Sequence, residues 1–264
     1  MFMNRSLWEF ISILIITFAL MVFYSFRHQP ITVLDYELKQ SGVKGYLWGE
    51  PLEVPAFAEQ ESLKSLAERD TVITDTSAQK ILLIGDSMLE GLMLRLRDYV
   101  EYNEHDMKSV IWYSSSTLWY GTSDTLSHFI NEYKPTYVML VLGANELFIS
   151  DIKNKRLKYV RRIISQIDTL PYVWIGPPNW KDDTGINELI LSNTDERRYY
   201  PSKDLTYNRA SDGAHPTRSS AAKWMDSVAV WIQTKGAYRF KLDVPPDSIR
   251  YRSSPNATLL QPKK

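Results

Sequence analysis

Three side chains of this sequence have the types that acyl transfer by a serine nucleophile requires. Ser87 follows an apolar stretch in "ILLIGDSMLEG", where a serine is either a helix N-cap or a nucleophile. A serine hydroxyl attacks a carbonyl only when a base removes its proton, and His215 in "SDGAHPT" is the candidate base. Asp212 precedes it in the same loop and can hold the imidazole in the required tautomer. These three residues therefore form a candidate catalytic triad.

The numbers of histidines and cysteines limit which metal sites and which catalytic bases this chain can have. The chain has four histidines and no cysteine, which argues against a thiolate or imidazole-rich metal site. His28 lies beside an apolar segment, His105 in a charged run and His128 in a helical pattern, so none of them is as good a base as His215. We therefore expect no imidazole-rich metal site, and His215 is the best candidate for a catalytic base.

Balanced charge also excludes a class of partner. Lys and Arg together number 31, as do Asp and Glu, so the formal net charge is zero. A chain without a basic excess gives no reason to expect a nucleic acid partner.

An oxyanion that forms on the attacked carbonyl needs fixed hydrogen-bond donors. The backbone N–H of Ser87, at the start of a helix, is one candidate. The side-chain amide of Asn145 in "GANE" is a second, and a backbone N–H from the loop after the second strand is a third. Loss of one such donor typically lowers the rate by about 100- to 1000-fold.

Alternating apolar runs and longer periodic segments predict strand–helix units on a largely parallel sheet. The predicted strands are 80–85, 109–114, 136–143 and 172–176, and the predicted helices are 88–100, 122–133, 155–167 and 219–234. Residues 79–235 are thus expected to form a three-layer α/β/α domain. Functional groups collect at the carboxyl ends of parallel strands. Those positions carry Asp86-Ser87, Ser114–Ser116, Asn145-Glu146 and Pro177–Trp180.

The N-terminal residues 1–28 predict a membrane anchor. Leu7–Phe26 is almost wholly apolar, with Glu9 its only charge, and about 20 such residues span a hydrocarbon core as a helix. A cleaved signal peptide is the alternative, but no small-residue cleavage pattern follows. We expect a single-pass transmembrane helix with the rest of the chain exported to the periplasmic or extracellular side.

Two further segments flank the expected domain. Residues 29–78 predict a stem that carries one docking helix, Ala56–Arg69. Residues 236–264 are rich in Pro, Ser and charge and have little periodicity, which is typical of an extended tail.

Three motifs occur in an order that resembles a known family. "GDSM" (Gly85–Met88), "GANE" (Gly143–Glu146) and "DGAHP" (Asp212–Pro216) look like blocks I, III and V of the SGNH, or GDSL-type, hydrolases. The resemblance covers about residues 79–235 and implies a flavodoxin-like domain. It also implies serine ester hydrolysis or acyl transfer without metal or organic cofactor. An α/β-hydrolase would instead require G-x-S-x-G, which the motif around Ser87 lacks.

Carried over by motif, the resemblance makes Ser87 the nucleophile and an oxyanion donor, and Asn145 a second donor. Asp212 and His215 complete the triad. The sequence departs from the family pattern at Glu146, where block III usually has aspartate. It also departs at block II, where the strand runs into "SSSTLWYG" instead of a glycine, so that Ser116 and Gly121 are alternative third donors.

Membrane-tethered, exported members of this family are often associated with O-acetylation or deacetylation of envelope polysaccharides, sometimes beside a multi-spanning O-acyltransferase. The resemblance thus implies an acylated glycan substrate. Trp119 and Trp180 lie in loops expected to rim the site, where aromatic faces suit sugar rings, although ordinary packing is the alternative; with Asp86 they are the candidate substrate-binding residues. Hydrolysis and transfer share one triad and stay open as alternatives. A lipid or small-ester esterase is another reading, and a catalytically silent glycan-binding or scaffold subunit is a third.

Overall fold

The computed structural model describes residues 12–19, 32–33, 36–37, 73–246 and 257–261. Contacts divide the chain into two compact units, 1–69 and 70–264. In the first unit, residues 12–19 are helical and exposed, and Thr32–Val33 pairs antiparallel with Tyr36–Glu37. Most of the predicted anchor and all of the predicted helix 56–69 lie outside the described residues. Among those residues, no helix has the length and apolar character needed to cross a membrane.

The second unit is built on a six-stranded parallel sheet. Its strands in chain order are β1 (Lys80–Gly85), β2 (Asp106–Trp112), β3 (Tyr137–Val141), β4 (Tyr172–Ile175), β5 (Tyr199–Tyr200) and β6 (Ala257–Leu260). They lie in the order β5-β4-β3-β1-β2-β6. The order 2-1-3-4-5 within it is that of flavodoxin-like sheets. The predicted α/β fold with a parallel sheet is confirmed.

Helices cover both faces of this sheet. They are α1 (Leu89–Tyr102), α2 (Thr117–Gly121), α3 (Thr125–Tyr133), α4 (Ile152–Ile167), α5 (Ile186–Leu191) and α6 (Arg218–Thr234). Helices α1 and α6 pack on one face, with Ile81 and Leu83 of β1, and α2 to α5 pack on the other, with Leu82 and Ile84. Because β1 is buried on both sides, its sequence is continuously apolar and does not alternate.

The C-terminal residues differ from the sequence prediction. The segment 236–264 was expected to be an extended tail beyond a domain that ends at residue 235. Instead, Phe240 and Leu242 are fully buried in the core, and β6 pairs with the edge of β2. The boundary at residue 235 is therefore corrected. A strand of four residues is too short to show a periodic pattern in the sequence. It forms here because the edge of β2 offers unpaired backbone groups to which it can bind.

The centre of the sheet requires a glycine at the end of β1. A Cβ at Gly85 would lie 1.8 Å from the backbone oxygen of Val141 in β3, so no larger residue fits. The next residue, Asp86, donates its backbone N–H to the same oxygen at 2.9 Å. The chain therefore leaves β1 at a fixed point, and Ser87 follows at the carboxyl edge of the sheet.

His105 joins three segments at the opposite edge of the sheet. Its Nδ1 accepts the backbone N–H of Gln79 at 3.2 Å, and its Nε2 lies 2.6 Å from the carbonyl oxygen of Lys241. A carbonyl only accepts, so Nε2 carries the proton and the ring is neutral. Burial lowers the pKa of His105 below its usual value.

This environment predicts a pH-dependent stability. The pKa of His105 is lower in the folded chain than the value of about 6.5 expected in the unfolded chain. The unfolded state therefore binds a proton at this residue at a higher pH than the folded state does. The contribution of His105 to the free energy of unfolding should thus decrease as the pH falls below about 6.5, until the folded pKa is passed. Chemical denaturation between pH 5 and pH 8 measures this slope. As the pH falls, His105→Gln should lose less of its free energy of unfolding than the wild type does, whereas His128→Gln, on exposed helix α3, should match the wild type. Equal slopes in all three proteins would contradict this.

Candidate active site

The three candidate triad residues lie in one hydrogen-bonded chain. The Nε2 of His215 is 2.9 Å from the Oγ of Ser87, and its Nδ1 is 2.6 Å from Oδ2 of Asp212. A carboxylate only accepts, so Nδ1 carries the proton and Nε2 is left to accept the serine hydroxyl. The structure therefore brings together Ser87, His215 and Asp212 in the geometry of a nucleophile, a base and an orienting acid.

Asp212 and His215 belong to one tight turn in the loop before α6. The Oδ1 of Asp212 accepts the backbone N–H groups of Ala214 and His215, at 2.9 and 3.0 Å. The Ala214 N–H, followed by the His215 side chain, lowers the pKa of Asp212 to about 2. This residue is therefore ionised at neutral pH, as an orienting acid must be.

Ser87 lies in the turn between β1 and α1. Its backbone carbonyl accepts the N–H of Glu90, which begins α1 beside the serine. The positive end of the α1 dipole thus lies next to Ser87. Within the part of the chain that the structure describes, the backbone N–H of Ser87 has no protein acceptor, so it is open to an oxyanion.

Asp86 is fully buried, which corrects its assignment as a substrate-binding residue. Its Oδ1 accepts the N–H of Met88 at 3.0 Å, so the side chain closes the nucleophile turn instead of facing a ligand. Burial raises the pKa of Asp86 to about 7, although the amides of Met88, Ala144 and Gly143 oppose the shift. Asp86 therefore couples the turn of Ser87 to the loop after β3.

Asn145 and Ser116 meet at the same edge of the sheet. The Nδ2 of Asn145 donates one hydrogen to the carbonyl of Ser115 at 2.9 Å, which orients the amide and leaves its second hydrogen available. The neighbouring backbone N–H of Ser116 has no acceptor among the described residues. Ser116 is therefore placed beside Asn145 as the third candidate donor.

Gly121, the alternative third donor, has a different role. It is the last residue of α2, and a Cβ there would lie 2.5 Å from the Cβ of Tyr159 in α4. The residue lacks a side chain because two helices touch at this point. This packing accounts for the glycine at this position without a role in the oxyanion hole, so Ser116 is the better candidate for the third donor.

Glu146 connects the two loops that carry these donors. Its side chain is fully buried, and its oxygens accept the N–H of Thr117 at 2.8 Å and the hydroxyl of Thr117 at 2.7 Å. Arg156 of α4 forms an ion pair with the same carboxylate at 2.5 Å. The departure from aspartate at this position thus supplies the longer side chain that reaches both Thr117 and Arg156.

Removal of this carboxylate should cost much more stability than removal of a surface one. Glu146→Ala leaves Arg156 and the Thr117 N–H without their buried acceptor, so we expect the free energy of unfolding to fall by about 3 kcal/mol or more. Glu188→Ala is the matched control, because its ion pair with Lys153 is exposed and is worth less than about 1 kcal/mol. Urea denaturation measures both; a loss of similar size in the two variants would disprove the structural role.

The two candidate tryptophans differ in position. Trp180 donates its indole N–H to the carbonyl of Ala144 at 3.0 Å, directly beside Asn145. Trp119 lies on α2, where its ring packs on Trp112 with centroids 5.4 Å apart. The structure therefore places Trp180 at the site, while no described contact brings Trp119 to the triad.

Arg209 joins the loop of Trp180 to the loop of His215. Its Nη2 donates to the carbonyls of Pro178 and Asn179 at 2.8 and 2.7 Å, and its Nη1 donates to the carbonyl of Ala214 at 2.9 Å. One planar guanidinium thus holds three carbonyls in fixed positions. Ala214 precedes His215, so this contact sets the position of the catalytic loop.

Arg209→Lys should therefore weaken catalysis without loss of charge. An ammonium lacks the planar fork that reaches three carbonyls, and a displacement of about 1 Å at the base lowers rates by up to about 100-fold. We expect kcat for p-nitrophenyl acetate to fall by about 10- to 100-fold in a folded protein. Arg161→Lys, an exposed arginine bonded to Asn193, is the control and should match the wild type. An unchanged kcat in Arg209→Lys would refute the positioning role.

The contacts of several of these residues could not be predicted from the sequence. Glu146 was visible as a departure from a motif, but its partner Arg156 lies on a helical face with no local signal. Arg209 sits outside the "SDGAHPT" motif, and its acceptors are backbone atoms, which leave no trace in residue types.

Within the described residues, no cluster of histidine, aspartate and glutamate could hold a metal ion.

No protein-family model matches this chain, and no curated protein sequence matches it. Solved structures that align with it include a family 3 carbohydrate esterase from Clostridium thermocellum, at 16% identity over 61% of this chain and 100% of that chain, with a TM-score of 0.42. TesA aligns at 14% identity over 59% and 98%, with a TM-score of 0.45.

A two-domain esterase, CEX, active on acetylated mannans also aligns with this chain. The identity is 11% over 73% of this chain and 57% of that chain, with a TM-score of 0.43. At such low similarity, the chemistry of this chain has to be inferred from the geometry of its own site.

Proposed function

We propose that this protein cleaves or transfers a small acyl group, most simply acetyl, on a cell-envelope or secreted polysaccharide through an acyl-enzyme on Ser87. The observation that carries the proposal is the continuous chain from Asp212 through His215 to Ser87, with contacts of 2.6 and 2.9 Å. Among the described residues, the backbone amides of Ser87 and Ser116 have no protein acceptor, and the side-chain amide of Asn145 is oriented by Ser115. This is the equipment of an SGNH-type serine esterase or O-acyltransferase.

Acylation follows from this geometry. The Oγ of Ser87 attacks the ester carbonyl while its proton passes to Nε2 of His215, and Asp212 stabilises the imidazolium that forms. The oxyanion accepts hydrogen bonds from the N–H groups of Ser87 and Ser116 and from Nδ2 of Asn145. Collapse of this intermediate breaks the ester C–O bond, and His215 returns the proton to the departing alcohol.

Deacylation decides between hydrolysis and transfer. Water or a sugar hydroxyl gives its proton to His215 and attacks the acyl carbon, and the proton then returns to Ser87. The side chains of His215 and Asp212 are 38% and 50% exposed, so the acyl-enzyme is open to a large acceptor as well as to water. The same triad serves both reactions.

A glycan fits the surroundings better than a lipid does. Four of the five residues that line the cleft beside Trp180 are polar: Asn179, Lys181, Asp182 and Asp183. An acyl chain would require an apolar channel, whereas sugar hydroxyls bind carboxylate, ammonium and amide groups. A lipid or small-ester esterase therefore remains the second candidate.

The cellular setting is part of the same proposal. The apolar segment Leu7–Phe26 would tether the protein to the membrane, with the catalytic unit on the periplasmic or extracellular side. There it would meet an acylated envelope glycan, and a multi-spanning O-acyltransferase in that membrane could supply the acyl group.

Loss of the triad should abolish ester cleavage. In the full-length protein purified in detergent, Ser87→Ala and His215→Ala should each lower kcat for p-nitrophenyl acetate by about 10⁶-fold, because neither residue works without the other. Asp212→Asn should lower it by about 10⁴-fold, since the neutral amide does not fix the tautomer. His128→Ala, on the exposed face of α3, is the matched histidine control.

Two results would overturn this function. Hydrolysis that persists in Ser87→Ala would show that another group is the nucleophile. A folded wild-type protein that cleaves neither p-nitrophenyl acetate nor an acetylated oligosaccharide, and whose Ser87→Ala variant supports the full cellular role, would instead identify a silent glycan-binding or scaffold subunit.

A further inference from the structure

An open cleft lies beside the loop that holds Trp180. Its volume is about 590 Å³, and it is lined by Asn179, Trp180, Lys181, Asp182 and Asp183. This volume is within the usual range of small-ligand sites. The lining combines one aromatic ring with amide, ammonium and carboxylate groups, which is the chemistry that recognises a ring with apolar faces and a polar rim.

A second aromatic ring extends this surface. Phe148 is 55% exposed, and its ring centroid lies 6.3 Å from that of Trp180 at an angle of 73°. The ammonium of Lys181 lies over both rings, 4.7 Å from the Trp180 centroid and 5.3 Å from the Phe148 centroid. The negative faces of the two rings therefore point to one space, which a flexible and exposed cation fills.

The C–H bonds of a pyranose ring can take the place of that cation. They carry partial positive charge on one apolar face, so they stack on an aromatic ring for the same electrostatic reason as an ammonium. The ring hydroxyls then point outward. Lys181, on its flexible side chain, is free to turn from the rings to these hydroxyls, and Asp182 lies next to it at the rim.

The floor of the cleft is rigid. Asp183 accepts the N–H groups of Gly185 and Ile186, both at 2.8 Å, and Asn187 donates to both Asn179 and Asp183. These bonds engage the oxygens of Asn179 and Asp183. The side chains of Lys181 and Asp182 and the amide hydrogens of Asn179 remain for a ligand.

The cleft is also joined to the triad from two sides. Trp180 is bonded to the carbonyl of Ala144, beside the donor Asn145. Arg209 connects the carbonyl of Asn179 to that of Ala214, beside His215. A ring bound here is therefore held at a fixed distance from both the oxyanion donors and the base.

We propose that the cleft of residues 179–183, together with Phe148, is a carbohydrate subsite that binds one pyranose ring adjacent to the ester-bearing sugar. Its placement relative to the ester rests on the function proposed above. The binding itself does not depend on catalysis. Lys181 acts as a movable side chain that covers the aromatic faces until the sugar displaces it.

The test uses the full-length Ser87→Ala protein, which cannot turn over a substrate. Cellopentaose, maltopentaose, mannopentaose and chitopentaose, all without ester groups, are titrated and followed by saturation-transfer NMR. We expect at least one of them to bind, with its ring C–H protons receiving the strongest transfer. Phe148→Ala on this background should weaken that binding at least fivefold. Tyr102→Ala removes an aromatic ring that is 44% exposed at the end of α1, and it should leave binding unchanged.

The outcomes separate the subsite from the proposed function. Absence of transfer to every oligosaccharide at 10-fold molar excess, or binding that Phe148→Ala leaves within twofold of its parent, would overturn the subsite even if Ser87 is the nucleophile. Binding that depends on Phe148 in a protein whose ester cleavage does not depend on Ser87 would support the subsite and reject the function.

Discussion

One buried carboxylate determines how the site is assembled. Strand β1, which ends at the nucleophile turn, lies between β2 and β3 in the sheet. The loops that follow β2 and β3 are joined by Glu146, which binds Thr117, and by the hydrogen bond from Asn145 to the carbonyl of Ser115. The ion pair with Arg156 offsets the cost of burying that carboxylate, since a buried charge without a partner is strongly destabilising. The candidate donors Ser116 and Asn145 are therefore held close to each other, because these contacts connect the two loops that carry them.

The opposite side of the site is held by a different kind of contact. The described hydrogen bonds of Arg209 all go to carbonyl oxygens, so they depend on backbone positions, although its guanidinium also lies over the ring of Tyr207 at 4.9 Å. This allows the loops that contain Trp180 and His215 to vary in sequence while their relative placement is kept. The nucleophile side is thus fixed by a specific side-chain pair, and the base side by the course of the backbone.

Much of the fold could be predicted, because a sheet buried on both faces leaves continuous apolar runs such as that of β1. The triad could be predicted as well, since Asp212 and His215 are close in sequence and Ser87 ends a strand. The choice between Ser116 and Gly121 could not, because it depends on the contact of α2 with Tyr159. The burial of Asp86 could not be predicted either. An acidic residue beside a nucleophile suggests a ligand contact, but the loop after β3 packs over Asp86 and buries it. Strand β6 was missed because its four residues form a strand only against the edge of β2.

The turn at Asp212 makes the acid and the base of the triad move together. Both backbone amides of that turn and the imidazole bind one carboxylate, so the acid and the base form a single rigid piece. The hydrogen bond between Ser87 and His215 is then the only contact in the triad that joins two separate loops. If the loop before α6 swings outward, the nucleophile loses its base in a single step, while the base itself stays oriented.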